Sequence, residues 1–441
     1  MINLVIHYDW FTYIIWAMSA VALVFLFIVS FYYLGMWSIS GKKIQEVPHS
    51  DKRSKFAVLI AARDESKVIS GILTSMKEQT YDPKYFDVWV IVEREDDPTI
   101  EIAKSFGFNY FVRDELTEHR RTKGFALQEC IRHFDKEDIE YDAYMIFDAD
   151  NIVDKDFIEK MNDLRQTGVR VGGGYRNFTN ANHNWLTANS AIMFTYMNQV
   201  TGQGRSILFH KFTLMGTGYY VDSSIIKDAG GWIFTGMTED IQLSTYCYYH
   251  DVYMRYYPVV NFYDEQAPDF KTVHNQHLRW LSGYFESRKF LKTSGIKYDY
   301  HTKSMQKFMI ADFLYGLFPF VAFNVFCAFM AIIDLVLGIL CAYQSPTPYL
   351  LGMIFGNMAY QIFILLVIFA VPAAIVIYRE NKALKLGPGL CGICLLTYGL
   401  FFYDFGLAFV DAVLHPKKKT NWKRVDHSGE ITNDSAKKAS K

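Results

Sequence analysis

Three short apolar runs constrain this chain most. Phe56-Ala-Val-Leu-Ile-Ala-Ala62, Phe86-Asp-Val-Trp-Val-Ile-Val92 and Tyr144-Met-Ile-Phe147 are each about a strand long. Val68 to Glu78, Asp97 to Phe106 and Phe157 to Leu164 carry apolar residues at helical spacing between and after them. Strands alternating with helices predict an α/β domain with a mainly parallel sheet. Such sheets bind ligands beyond the carboxyl ends of their strands. Each run here ends in acidic residues: Arg63-Asp64-Glu65 after the first, Glu93 with Asp96-Asp97 after the second, Asp148-Ala-Asp150 after the third.

Carboxylates gathered on one edge repel one another unless a cation or a donor-rich ligand joins them. Side chains alternate along an extended segment, so Asp148 and Asp150 share a side. That suits a hard divalent ion bridging to phosphate oxygens; a solvated loop capping the next helix is the plainer reading. Lys123-Gly124 precedes a helix start at Ala126, where a lysine suits phosphate or simply lies on the surface. Gly172-Gly-Gly174 follows Val169-Arg-Val171, which means a close backbone approach or a sharp turn. Leu214-Met-Gly-Thr-Gly-Tyr-Tyr220 is a second glycine-punctuated strand entry, with room for a bulky ligand or a plain bulge. Thr238-Glu-Asp240 supplies a carboxylate pair after a Gly-Gly-Trp turn, and Gln276-His-Leu-Arg-Trp280 an amide, a guanidinium and an indole at helical spacing.

Taken together, Ala61-Ala-Arg-Asp-Glu65, Asp148-Ala-Asp150, Gly216-Thr-Gly218, Thr238-Glu-Asp240, Tyr263-Asp-Glu265 and Gln276-His-Leu-Arg-Trp280 resemble a membrane-embedded family 2 glycosyltransferase. The resemblance is to the group with cellulose, chitin, hyaluronan and poly-N-acetylglucosamine synthases, and it covers roughly residues 55–290. It implies a glycosyltransferase A-type fold inserted between transmembrane helices, and inverting transfer from a UDP-sugar. Carried over residue by residue, it makes Asp240 the catalytic base, with Glu239 orienting the site. Asp150 and Asp148 would hold Mg²⁺ or Mn²⁺, and Gln276 and Arg279 the diphosphate. Asp64, Glu93, Asp97, Lys123 and Asp148 would shape the nucleotide pocket. Gly216, Thr217, Gly218 and Trp280 would meet the acceptor. One departure is Glu93, where the family usually has aspartate.

The 441 residues have a formal net charge of −1, so no global field argues for nucleic acid. Basic residues cluster instead beside apolar runs. Residues 10–40 carry no charge and exceed the ~20 residues that span a bilayer. They are followed by Lys42, Lys43, Lys52, Arg53 and Lys55, which predicts an outside N-terminus and a cytosolic transferase domain over 50–270. Residues 271–300 should carry the Gln-x-x-Arg-Trp motif into an amphipathic interface helix. A membrane region is expected over 304–414, with apolar stretches at 308–343, 349–378 and 390–414, and a basic, partly disordered tail over 415–441. Asp404 and Asp411 lie inside the last stretch, facing a polar path or bonding between helices. Cys391 and Cys394 read as small buried hydrophobes. The expected product is a growing β-linked polysaccharide on a multi-pass cell-membrane enzyme, with an export or accessory subunit as a further partner. Single transfer to a membrane lipid is the alternative, and a catalytically dead scaffold the third reading.

Overall fold

A computed structural model describes residues 34–117, 120–293 and 348–414, with isolated positions at Tyr13, Ala20 and Val336. Most of the expected N-terminal span, nearly all of 308–343 and the tail over 415–441 lie outside the described residues.

Eight strands form one sheet: β1 (Phe56–Ala61), β2 (Phe86–Val92), β3 (Asn109–Val112), β4 (Ala143–Asp148), β5 (Ile152–Val153), β6 (Val171–Phe178), β7 (Tyr219–Asp222) and β8 (Met254–Asp264). Their order is β3-β2-β1-β4-β7-β6-β8-β5. The first four run parallel, with Leu59 opposite Trp89 on one side and Ile146 on the other. Beyond β4 the sheet changes character. β7 is antiparallel to β4 and β6, and β5 is antiparallel to β8, while β6 and β8 are parallel. The sheet is therefore mixed, which corrects the mainly parallel expectation. β7 has four residues and β5 two, too few for a period to register.

The glycine run is a close approach inside β6. A Cβ on Gly173 would lie 2.6 Å from the Phe212 ring, and one on Gly174 2.8 Å from Phe157. Aromatic rings thus pack directly on bare backbone from both faces. Alternation along β1 sends Val58 and Ile60 to a core with Ile72 and Phe157, and Ala57 and Leu59 to one with Leu127 and Phe134. Burial on both faces explains why β1 reads as a continuous apolar run.

The helices are α1 (Ile69–Lys77), α2 (Thr99–Ser105), α3 (Lys123–Lys136), α4 (Phe157–Gln166), α5 (Trp185–Met197), α6 (Arg205–Phe209), α7 (Ser223–Asp228), α8 (Glu239–Tyr249), α9 (Phe270–Thr293), α10 (Pro348–Leu384) and α11 (Pro388–Leu414). A π-helical segment, Asn198–Gly204, continues α5. α5, α9, α10 and α11 share a third core, containing Ile192, Leu278, Ala373, Tyr398 and Phe405.

α10 and α11 coincide with two expected apolar stretches. Among the described residues, α11 is the one helix long and apolar enough to cross a membrane. Cys394, Tyr398, Phe401, Phe405 and Ala408 face the core along one side. Leu396, Leu400, Tyr403, Leu407, Val410 and Leu414 form an exposed apolar row on the other. Cys391 and Cys394 are free thiols, the latter buried.

Candidate active site

The start of α3 is pressed onto the loop before α8. Thr122 caps the helix by accepting from the Phe125 amide and donates to the Thr235 carbonyl at 2.8 Å. Gly124 lies against the Phe234 carbonyl, where a Cβ has no room. This brings Lys123 to the carboxyl end of β4. Its Nζ lies 2.5 Å from Asp148 Oδ1 and 2.8 Å from the Gly216 carbonyl.

Asp148 is fixed from behind. Its amide donates to Thr217 Oγ1 at 3.0 Å and Asn151 Oδ1 at 3.2 Å, and the Thr217 hydroxyl bonds Asn151 in turn. Thr217 is buried, so its hydroxyl serves this turn. Gly218 leaves a space that the Phe262 ring fills. Gly216 has φ +82°, the left-handed region that favours glycine, and a Cβ there would stand 3.9 Å from Asp240 Oδ2. Of the three expected acceptor positions in this segment, Gly216 lies beside the Asp240 carboxylate.

Glu239 and Asp240 occupy the first turn of α8, where a helix N-terminus favours negative charge. Burial, then the neighbouring Asp240, pushes the Glu239 carboxyl up to about 8. Asp240 is also raised by burial, but the Ile241 amide (2.9 Å), Lys123 and the Gly216 amide hold its charge. Burial thus raises both carboxyls of the pair, while the two amides and Lys123 favour the charged form of Asp240. Two cations face it. Burial works against the charge of Lys123, but Asp148, Glu239 and Asp240 outweigh it and leave the ammonium above its ordinary pKa. Burial lowers the pKa of Arg279, and the same three carboxylates oppose that shift.

The expected nucleotide residues divide by environment. Asp64 has φ 58° and pairs with Arg94 at 2.8 Å. Asp97 is buried, and its oxygens accept from the amides of Asp64 (3.2 Å) and Thr99 (2.9 Å), so it positions the Asp64 loop. Glu93 lies between Arg63 (3.1 Å) and Arg113 (3.5 Å).

α9 crosses α8 at Gly283, where a Cβ would lie 2.6 Å from Thr238 Cγ2. Gln276 and Arg279 are one turn apart on α9 and share a face. Trp280 meets Phe194 edge-on at 5.7 Å and stacks at 6.3 Å on Phe405 of α11. The motif and the expected interface helix are one continuous helix. Asp404 of α11 bonds His274 Nδ1 at 2.6 Å and His277 Nδ1 at 2.7 Å, so this acid joins helices.

Several residues were not legible in the sequence. Asn151 completes the turn at Asp148. Arg176 is paired in a buried contact with Asp264, its Nε 2.6 Å from Oδ2, and Gln266 donates to the other oxygen at 3.1 Å. His274 and His277 lie in or beside the Gln-x-x-Arg-Trp motif without a role in it; their spacing of three, set against an acid in an apolar run, was the available signal.

Asp148 and Asp150 are the carboxylates that an ion at the end of β4 would use. Among the described residues, no group of three or more His, Cys, Asp or Glu could hold a metal by itself. Two carboxylates are the donor set that Mg²⁺ uses beside substrate phosphates.

The model of "Glycosyltransferase like family 2" matches residues 53–283, more than half of the chain. The chain belongs to glycosyltransferase family 2. A probable glycosyltransferase, YdaM, of Bacillus subtilis is 27% identical over 52% of this transferase and 55% of its own length. The poly-β-1,6-N-acetyl-D-glucosamine synthase of Staphylococcus epidermidis is 24% identical over 52% and 54%. The β-monoglucosyldiacylglycerol synthase of Trichormus variabilis is 25% identical over 52% and 49%. The transferase spans about half the length of the curated relatives it matches. A mannosyltransferase from Pyrobaculum calidifontis, solved with GDP-Man and Mn²⁺, superposes with a TM-score of 0.52 at 14% identity, covering 89% of this chain and 98% of that one. The two share the mixed α/β fold.

Proposed function

We propose that this protein is an inverting membrane glycosyltransferase that moves a sugar from a UDP-sugar to a growing β-linked polysaccharide. The observation that carries the reading is the buried pair Glu239 and Asp240 at the start of α8, faced by Lys123 and Arg279. Asp240 takes the proton of the acceptor hydroxyl as its oxygen forms a bond to the anomeric carbon. The bond from that carbon to the diphosphate breaks, and its electron pair leaves with UDP. Base catalysis of this kind contributes ~10²–10⁴-fold. Lys123, Gln276 and Arg279 meet the departing charge, and arginine suits bidentate phosphate contact. Asp148 and Asp150 would hold Mg²⁺ or Mn²⁺, which supplies charge neutralisation at the diphosphate when bound. Glu239, protonated near neutrality, orients the site. Asp64, Glu93 and Asp97 shape the nucleotide pocket, while Trp280 offers a flat face to the acceptor sugar beside Gly216.

The exposed apolar row of α11 supports a membrane setting, and the basic residues after 40 support a cytosolic transferase domain. Transfer to a lipid acceptor is the second reading. The similarity to a glucosyldiacylglycerol synthase favours it.

The test uses purified full-length protein in nanodiscs with Mg²⁺ or Mn²⁺ and a panel of radiolabelled UDP-sugars, with and without lipid extract. High-mass, hydrolase-sensitive product establishes the synthase and its donor. Label on lipid alone establishes the glycolipid reading. Release of UDP from no donor overturns both.

A further inference from the structure

The helix that carries Gln276 and Arg279 is gripped from behind. His274 and His277 are three residues apart, and both ring Nδ1 atoms contact the two oxygens of a single carboxylate, Asp404. A carboxylate only accepts, so each Nδ1–H donates. Burial keeps His277 below the ordinary histidine pKa, against the pull of Asp404. The same ring stacks on Phe405 at 3.6 Å and 18°. The Asp404 side chain is 1% exposed and comes from α11, whose other buried positions are nearly all apolar.

A buried acid of this kind is a poor source of stability, and its best-attested use is to fix register. At 100° per residue, the two histidines point roughly 160° away from Gln276 and Arg279 around α9. Asp404 therefore holds the back of the helix whose front faces the carboxylate pair. Two bonds from successive turns of α9 to one carboxylate oppose both roll and slide more strongly than one bond would. A roll of about 10° moves a side-chain tip ~6 Å from the axis by about 1 Å. Misplacement on that scale costs up to ~10²-fold in rate.

We propose that Asp404 is a positioning residue of the transfer site, setting the roll of α9 through His274 and His277 so that Arg279 and Gln276 meet the leaving diphosphate. The proposal rests on the phosphate role given to those two residues above.

The test compares steady-state kinetics and melting of the full chain in nanodiscs, across Asp404→Leu, Asp404→Asn and the wild type. Asp404→Leu should lower kcat at least tenfold with donor KM within threefold, and it should also lower the melting temperature because two ring N–H groups lose their acceptor. Asp404→Asn keeps one accepting oxygen, hence one of the two bonds, and should give a kcat between those of Asp404→Leu and the wild type, which a purely structural role does not require. Should Asp404→Leu fail to fold, the triple variant His274→Leu, His277→Leu, Asp404→Leu removes the buried charge with its partners and should show the same kcat loss. Wild-type kcat in either folded variant overturns the proposal. Wild-type turnover in Arg279→Ala would instead overturn the phosphate assignment, and this proposal with it.

Discussion

The ammonium of Lys123 lies 2.5 Å from the Asp148 carboxylate, at the junction of α3 and β4. Without donor, the cation is neutralised by the same acid that is assigned to the divalent ion. On the proposed reading Asp148 would hold the ion when donor is bound, and Lys123 would exchange that carboxylate for phosphate. Lys123→Met should raise donor KM by ~10–100-fold, the range for one hydrogen bond to a charged group. Steady-state kinetics decide it, and a KM within threefold of wild type rejects the exchange.

Asp240→Asn removes the proposed base and none of the proposed phosphate contacts. Turnover should fall at least ~10²-fold, with UDP affinity unchanged within threefold by calorimetry. Normal turnover would move the base to another residue.

Asp150→Ala should weaken UDP binding only when Mg²⁺ or Mn²⁺ is present. Titration with and without the ion separates the two states. Equal affinity in both proteins with metal would remove Asp150 from the ion site.

Glu239 yields a stability prediction with a definite sign. Its carboxyl is raised to about 8 by burial and then by Asp240. Between the ordinary glutamate value and 8, the folded protein keeps a proton that the unfolded chain has lost. Stability therefore falls as pH rises through that window. Glutamine does not titrate, so the melting temperature of Glu239→Gln should gain on wild type from pH 5 to pH 8. A gap that stays constant across this range would contradict the buried-proton reading.

The legible part of this molecule was the part with a strong period. β1, β2 and the helices after them are buried runs or amphipathic stretches of six or more residues, and Asp148 is the last residue of the strand it was expected to follow. β5 and β7 were too short to show alternation, and their antiparallel pairing depends on contacts far along the chain. Thr217 and Gly218 illustrate a second limit. A Gly-Thr-Gly segment announces a special backbone, but whether its space holds a ligand or Phe262 is a tertiary fact. Asp97 shows the same limit for acids, since its carboxylate is consumed by two backbone amides. The acid at 404 stood out in an apolar run, yet its histidine partners lie 127 and 130 residues away.

That separation also governs when the enzyme can become competent during its own synthesis. The sheet is complete at Asp264, while Asp404 is the far half of the grip on α9. At ~5–20 residues per second, a ribosome needs roughly 6–25 s to cover the 127 residues from His277 to Asp404. Through that interval the nascent chain owns its carboxylates and its lysine but has an unsecured phosphate-binding helix. On the proposal above, the site would close into register only when α11 is laid beside α9. On that proposal, lodging the last helix would bring the site to its full rate, and a chain that stalls short of residue 404 would turn over at least tenfold more slowly.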